Sequence, residues 1–147
     1  GYLREVRAIC DEAGALLTSI LDGRRGAMPG LGGVLGHEGA NEAAAYVLSL
    51  NGYQAPADWV AAGKDRFDAL CVACHGADGK GNPAMGAPNL TDNIWLYGGS
   101  QAAIIKSISD GRSGRMPAHG EFLGDAKVHL LAAYIYSLSN KELKAAK

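Results

Sequence analysis

The chain has 147 residues, of which 48% are hydrophobic and 21 are glycine, and its formal net charge is -1. This length allows one or two small domains. The near-neutral charge, without a block of like charge, argues against nucleic-acid binding, which needs a basic patch. The sequence contains no run of 18 or more apolar residues, so no membrane span is predicted. No signal peptide is recognisable, and a start at Gly1 rather than methionine indicates a processed or trimmed product.

The apolar spacing predicts helices joined by loops and no alternating strand. In the first part of the chain, helices are expected from Asp11 to Asp22 and from Asn41 to Leu50. Each is followed by a glycine, Gly23 or Gly52, as is common after a helix end. Residues 53–56, which include a proline, form the predicted linker.

Three further helices are predicted after the linker. The first is capped by Asp58 and runs to Cys74. Ser100 caps the second, which ends before Gly111, and the third begins at Gly124-Asp125. Apolar residues in these helices recur at i, i+3, i+4 and i+7, which indicates faces that pack in a core.

The most informative motif is Cys71-Val-Ala-Cys74-His75. Two thiols three positions apart on the last turn of a helix can form thioethers to one porphyrin, with the histidine carried under the iron. We therefore predict one covalently bound haem c at Cys71 and Cys74, with His75 as an axial ligand. A zinc site would need a second cysteine pair, and the remaining Cys10 is interpreted as a small buried residue. A thioredoxin-like dithiol belongs to an alternating strand and helix pattern that is absent here.

A second axial ligand is expected from a methionine, whose thioether raises the reduction potential of a haem. Met116 is the best candidate because it lies in a glycine-rich loop, residues 111–117, that can present a side chain. Met85 is only ten positions after His75, and a chain this short would have difficulty reaching the opposite face of the porphyrin. Met85 is therefore interpreted as a contact near the haem. The carbonyl of Pro88 is expected to accept the Nδ1 proton of His75 and so to orient the ring.

The sequence contains an internal repeat with an offset of 88 residues. The matching segments are residues 19–29 with 107–117 and residues 44–50 with 132–138. We predict two copies of one unit, a partial one over 1–52 and a complete haem domain over 57–147. Met28 is equivalent to Met116, but the matching C-x-x-C-H would fall before Gly1. The first copy is therefore expected to be incomplete, and a second haem to exist only if upstream sequence is missing.

These motifs together resemble one family. The segments that carry the likeness are Cys71-x-x-Cys-His-Gly-Ala-Asp-Gly-Lys-Gly, Gly86-Ala-Pro-Asn-Leu, Trp95-Leu-Tyr-Gly-Gly, Gly114-Arg-Met-Pro-Ala and Val128-His-Leu-Leu-Ala-Ala-Tyr-Ile-Tyr-Ser-Leu. They resemble the second haem domain of the dihaem cytochrome c subunit of cbb3-type cytochrome c oxidases, over about residues 57–139. The likeness weakens before Asp22, and the family's N-terminal membrane anchor is absent.

The resemblance implies an all-α, class I cytochrome c fold in each unit, with His75 and Met116 as the axial ligands. The chain would be a non-catalytic electron-transfer subunit of an oxidase complex. Single electrons would pass from a soluble cytochrome or a quinol-oxidising complex towards the haem-copper centre. The resemblance also implies a periplasmic location, with membrane association through missing sequence or partner subunits.

Two further residues are candidates for holding the haem propionates. Trp95 and Arg112 are suggested by residue type and loop position alone. If they do not hold a propionate, Trp95 is an indole packed in the protein and Arg112 is a charge exposed to solvent. Two rival functions stay open from the sequence. One is a haem-based ligand sensor with a displaceable sixth position, and the other is an adaptor whose haemless first unit binds a partner.

Overall fold

A computed structural model describes residues 14–139 of the chain. These residues are mostly helical, which confirms the predicted all-α class. The helices are α1 (residues 14–22), α2 (Gly32–Ser49), α3 (Ala57–Leu70), α4 (Val72–His75), α5 (Gln101–Asp110), α6 (Gly120–Leu123) and α7 (Asp125–Ser139), with a 3-10 turn at Pro83–Met85. Two short strands, β1 (Arg24–Met28) and β2 (Arg112–Met116), pair in a two-stranded sheet.

Helices α5 and α7 agree with the sequence-based expectations. The Ser100 hydroxyl accepts a hydrogen bond from the Ala103 amide at 3.3 Å, so it caps α5 as predicted. The helix ends at Gly111, whose φ of 74° is a conformation that glycine adopts without strain. Helix α7 begins at Asp125, directly after Gly124.

The helix predicted from Asp58 to Cys74 is present as α3 and α4, which are separated at Cys71. The prediction that Asp58 caps it is wrong, because the N-cap is Pro56 and Asp58 lies in the first turn. The φ of Pro56 is -55°, and the carbonyl of this residue accepts from the Val60 amide at 3.0 Å. The helix therefore starts two residues earlier than predicted, where the proline ring already restricts the backbone.

Two other expectations differ from the structure. Helix α2 begins nine residues before the predicted Asn41, because a short turn precedes a kink at Gly36. The prediction of no strand is wrong, since β1 and β2 cover the two glycine-rich methionine segments. Most of their residues are exposed and half of them are polar, so apolar alternation gives no signal there. The start of the first predicted helix, residues 11–13, lies outside the described residues.

The chain divides into two compact units. We call residues 26–114 the attachment unit, because it contains the C-x-x-C-H motif, and the described parts of the rest, 14–25 and 115–139, the terminal unit. These boundaries differ from those of the predicted sequence copies. The predicted linker, residues 53–56, joins α2 to α3 inside the attachment unit, and both strands cross from one unit to the other.

The core of the attachment unit forms where α2 packs against α3 and α5. Its buried residues are Leu35, Ala40, Ala43, Ala44, Val47, Leu48, Phe67, Ile104 and Ile108. Phe67 is 1% exposed, and its ring centroid lies 5.1 Å from that of Tyr46. Gly63 allows the two helices to approach closely, because a Cβ there would lie 2.0 Å from the carbonyl oxygen of Glu42. Arg66 of α3 forms an ion pair with Glu42 of α2 at the same crossing.

The terminal unit has a smaller core formed by α1 and α7. Ile20, Val128 and Ala132 are buried there. Leu16, Leu17, Leu21 and Leu123 pack around them. The opposite face of α7 is open, with Tyr134 60% exposed and Leu138 50% exposed.

Candidate haem-attachment site

The C-x-x-C-H motif continues the helical hydrogen bonding of α3 into α4. The Cys71 amide donates to the Phe67 carbonyl at 2.8 Å, and the His75 amide donates to the Cys71 carbonyl at 2.9 Å. The two thiols, at i and i+3, therefore lie on neighbouring turns of one helical surface. Both cysteines are half-buried and unbridged. This arrangement suits two thioether bonds to one flat porphyrin.

The Cys71 thiol packs against the core of the attachment unit. Burial raises the pKa of the Cys71 thiol above its ordinary value, and the nearby Cys74 adds to the increase. In the haem-free chain this thiol therefore stays protonated to higher pH than a free cysteine.

His75 is 7% exposed, and it is the one buried charged or polar side chain among those described. Its Nδ1 lies 3.2 Å from the carbonyl oxygen of Pro88. Because a carbonyl can only accept, this contact requires a proton on Nδ1, and in the tautomer that carries its one proton there the lone pair lies on Nε2. The sequence analysis paired these two groups, and they lie within hydrogen-bond distance. A neutral imidazole held in this way fits an iron ligand.

The loop between His75 and Pro88 is folded back on itself by its own hydrogen bonds. The Gly81 amide donates to the His75 carbonyl at 2.8 Å, and the Leu90 amide donates to the Gly79 carbonyl at 2.7 Å. Asn82 and Ala87 exchange backbone hydrogen bonds at 2.9 and 3.0 Å. These contacts fix the Pro88 carbonyl above the imidazole.

Asn51, two residues after the end of α2, was not predicted as a site residue from the sequence. Its Nδ2 donates to the Leu90 carbonyl at 2.5 Å and so ties α2 to the loop that carries Pro88. The sequence offered no signal for this contact, because the two residues are 39 positions apart.

Trp95 and Arg112 both lie in the attachment unit. Trp95 is half-buried and packs against the core. The Arg112 guanidinium carbon lies 4.3 Å from the centroid of the Tyr97 ring, and Arg112 Nε donates to the Ser107 hydroxyl at 2.9 Å. The side chain is thus held by a cation–π contact and a hydrogen bond rather than free in solvent. The sequence did not predict Tyr97 and Ser107 as partners of Arg112.

The three methionines lie in different surroundings. Met116, the predicted axial ligand, ends β2 in the terminal unit and is 38% exposed. Met85 lies in the 3-10 turn and is 51% exposed. Met28 ends β1 in the attachment unit, where it is half-buried and packs against the core that also contacts Cys71. The structure thus brings together the two cysteines, His75, Pro88, Trp95 and Arg112 in one unit, and places Met116 in the other.

An all-α chain with a C-x-x-C-H turn and an oriented, buried histidine is a c-type cytochrome. Comparison with known proteins gives the family. Residues 58–135 match the family described as cytochrome c oxidase, cbb3-type, subunit III. The chain belongs to this family.

Several curated relatives carry the same family name. The chain is 44% identical over 119 residues to the cbb3-type cytochrome c oxidase subunit FixP of Azorhizobium caulinodans, which covers 80% of the chain and 40% of the relative. It is 44% identical over 132 residues to subunit CcoP of Rubrivivax gelatinosus, covering 88% and 42%. The FixP subunit of Bradyrhizobium diazoefficiens is 48% identical over 110 residues, covering 74% and 38%. The chain therefore spans about two fifths of the length of these relatives. Among the described helices, none is both long and apolar enough to cross a membrane.

Proposed function

We propose that the chain relays single electrons through one haem c bound to Cys71 and Cys74. The observation that carries this proposal is the buried His75, whose ring is oriented by the Pro88 carbonyl at 3.2 Å next to two unbridged thiols. Each cysteine would add its S–H across a vinyl group to form a thioether, a step that needs no oxidant. Bound haem supplies a reversible one-electron couple at iron.

Side chains and backbone groups of the protein would determine the reduction potential of the bound haem. His75 would coordinate iron through Nε2, and the hydrogen bond from Nδ1 to Pro88 would increase the donor strength of the ring. Met116, which the sequence predicts as the second iron ligand, would supply a thioether, and a thioether ligand raises the reduction potential of a haem. Arg112 would stabilise a haem propionate, with Trp95 packing beside it. The core around Phe67 and Leu90 would keep water from the buried face of the porphyrin.

The family assignment extends this proposal to a pathway. The chain would accept electrons from a soluble cytochrome or a quinol-oxidising complex and pass them towards the haem-copper centre of a cbb3-type oxidase. It would act there as a non-catalytic subunit on the periplasmic side of the membrane, held by partner subunits or by further sequence of its own. A second haem would require another C-x-x-C-H outside these residues.

The attachment chemistry is tested by the denatured mass and by a pyridine haemochrome count. The wild-type chain should keep one haem per polypeptide after extraction with acid acetone. The variant Cys71→Ala/Cys74→Ala should lose it, whereas Cys10→Ala, a matched control, should retain it. Haem that survives extraction from the double variant would contradict attachment at this motif.

The relay function is tested with the reduced holoprotein. Mixing it with an oxidised acceptor cytochrome or cbb3-type oxidase should give rapid electron transfer, and the ferric spectrum should be low-spin. A high-spin ferric spectrum with slow transfer would instead support a ligand sensor. Slow transfer with a low-spin spectrum would support the adaptor.

A further inference from the structure

The Arg112 guanidinium, to which the proposed function gives a role at a haem propionate, is fixed by two contacts. Arg112 begins β2, directly after Gly111 at the end of α5. The guanidinium carbon lies 4.3 Å from the centroid of the Tyr97 ring, and Nε donates to the Ser107 hydroxyl at 2.9 Å. The side chain is half-buried, and the ring covers one face of the guanidinium.

The Ser107 hydroxyl acts as an acceptor towards Arg112. Its single proton is donated to the Ala103 carbonyl, one turn earlier in α5, at 2.9 Å. The lone pairs of the hydroxyl oxygen therefore remain for Arg112 Nε. In the part of the chain that the structure describes, this is the one hydrogen bond that the Arg112 side chain donates. The Nη groups keep their N–H donors for another acceptor.

Tyr97 is held beside β2 by the turn that precedes α5. The Gly98 amide donates to the Trp95 carbonyl in a long hydrogen bond of 3.4 Å, and the φ of Gly98 is 96°, a conformation that favours glycine. A Cβ at Gly114 would lie 3.4 Å from Tyr97 Oη. Residues 112 and 114 share one face of β2, so the ring lies along that face from the arginine to the glycine.

The Arg112 charge has no carboxylate partner among the residues that the structure describes. Asp110, two positions away, pairs with Lys106 Nζ at 2.6 Å. A guanidinium that is oriented but unpaired can bind an anion, because its planar N–H donors match the two oxygens of a carboxylate. A haem propionate is a carboxylate and fits this chemistry.

The first sequence copy offers an internal comparison. Arg24 is equivalent to Arg112 at the offset of 88 residues, and it is exposed. The residue equivalent to Tyr97 is Ile9, which has no aromatic ring. The half-buried arginine therefore occurs in the copy that supplies a tyrosine, and Arg24 is a control with the same charge.

We propose that Tyr97 is a positioning residue for Arg112. Its ring face, together with the Ser107 hydroxyl, holds the guanidinium so that it can bind a haem propionate, and this raises the reduction potential of the haem. The ferric haem carries more positive charge than the ferrous haem, so a fixed cation nearby favours reduction. This inference rests on the proposed haem function and identifies a residue that adjusts the potential.

The test measures the reduction potential of the holoprotein in a double-mutant cycle. Tyr97→Leu and Arg112→Gln should each lower the potential, so that less than half of the haem is reduced where half of the wild-type haem is. In the Arg112→Gln background, Tyr97→Leu should cause no further shift, because the ring acts through the guanidinium. Arg24→Gln removes the same charge from an exposed arginine and should leave the potential close to that of the wild type.

The contribution of the ring face is tested without a large change of shape. Tyr97→Phe keeps the aromatic face and should keep the wild-type potential. A trifluorinated phenylalanine at position 97 has nearly the same shape but a weaker quadrupole, so it should lower the potential towards that of Tyr97→Leu. This comparison also serves if Tyr97→Leu does not fold.

The outcomes separate this inference from the function on which it rests. An equal shift caused by Tyr97→Leu with and without Arg112 would mean that the ring acts on the haem directly, and would overturn the inference. A potential that fluorination does not change would also overturn it. If Arg112→Gln kept the wild-type potential, the inference would fail while covalent haem attachment stood. Absence of covalent haem would instead overturn the proposed function.

Discussion

Gly63 is the point at which α3 touches α2, and replacing it by alanine tests that contact directly. The added Cβ would lie 2.0 Å from the Glu42 carbonyl oxygen and 2.9 Å from Tyr46 Cβ. To restore a normal separation the helices must move apart by about 1 Å, which forfeits about a quarter to a half of the dispersion energy of the affected contacts.

The expected change in stability follows from two opposing effects. Overpacking of this kind costs about 1–3 kcal/mol, and the contact with a backbone oxygen places Gly63→Ala at the upper end. Alanine recovers up to about 1 kcal/mol of helix propensity. The net loss should be about 2 kcal/mol, which corresponds to a decrease in Tm of about 4–8 °C.

Urea unfolding of the holoprotein, followed by circular dichroism, measures this loss as a lower midpoint at an unchanged slope. Gly33→Ala is the matched control, since a Cβ at this other helical glycine would meet nothing within 4 Å. Its stability should equal or slightly exceed that of the wild type. If Gly63→Ala behaved like Gly33→Ala, the close approach of α2 to α3 would be refuted.

Two further results are expected. Tyr46→Ala should destabilise the chain by about 3 kcal/mol, because it removes an aromatic ring packed 5.1 Å from Phe67. The equivalent Tyr134→Ala should cost under about 1 kcal/mol, since Tyr134 is 60% exposed; equal losses in urea would count against the pairing of α2 with α3. In the haem-free chain, alkylation of Cys71 should reach its half-maximal rate at a higher pH than in a cysteine peptide, because burial raises the pKa of its thiol. Alkylation is measured by mass spectrometry of the peptide that contains Cys71. If its pH profile coincided with that of the cysteine peptide, the raised pKa would be contradicted.

Much of the attachment site could be predicted from the sequence because its contacts are local. The thiols are three positions apart, and His75 pairs with a carbonyl 13 positions away on a loop fixed by proline. Helix ends at Ser100 and Gly111 were predictable for the same reason, since a cap depends on its immediate neighbours.

The composition of the two units could not be predicted in this way. Residues 44–50 and 132–138 carry the same apolar pattern, so by pattern alone either α2 or α7 fits against α3. The choice depends on single positions, such as Glu42 against Leu130, and their effect is visible only once Arg66 is known to lie across the crossing. The strands escaped prediction because glycine and arginine dominate them.

The connection between α2 and α3 bears on how the chain acquires its fold. Seven residues, 50–56, join these helices, whereas 54 residues, 71–124, separate α3 from α7. Closing the shorter loop costs about 2 kcal/mol less conformational entropy, by the logarithmic dependence on loop length. Pairing α2 with α3 also lowers the contact order, which favours rapid folding.

Residues 26–114 form one compact unit, in which α2 precedes the attachment helices α3 and α4. A chain cut at the edges of that segment would keep the attachment motif and its helical partner together, whereas a cut at residues 53–56 would part them.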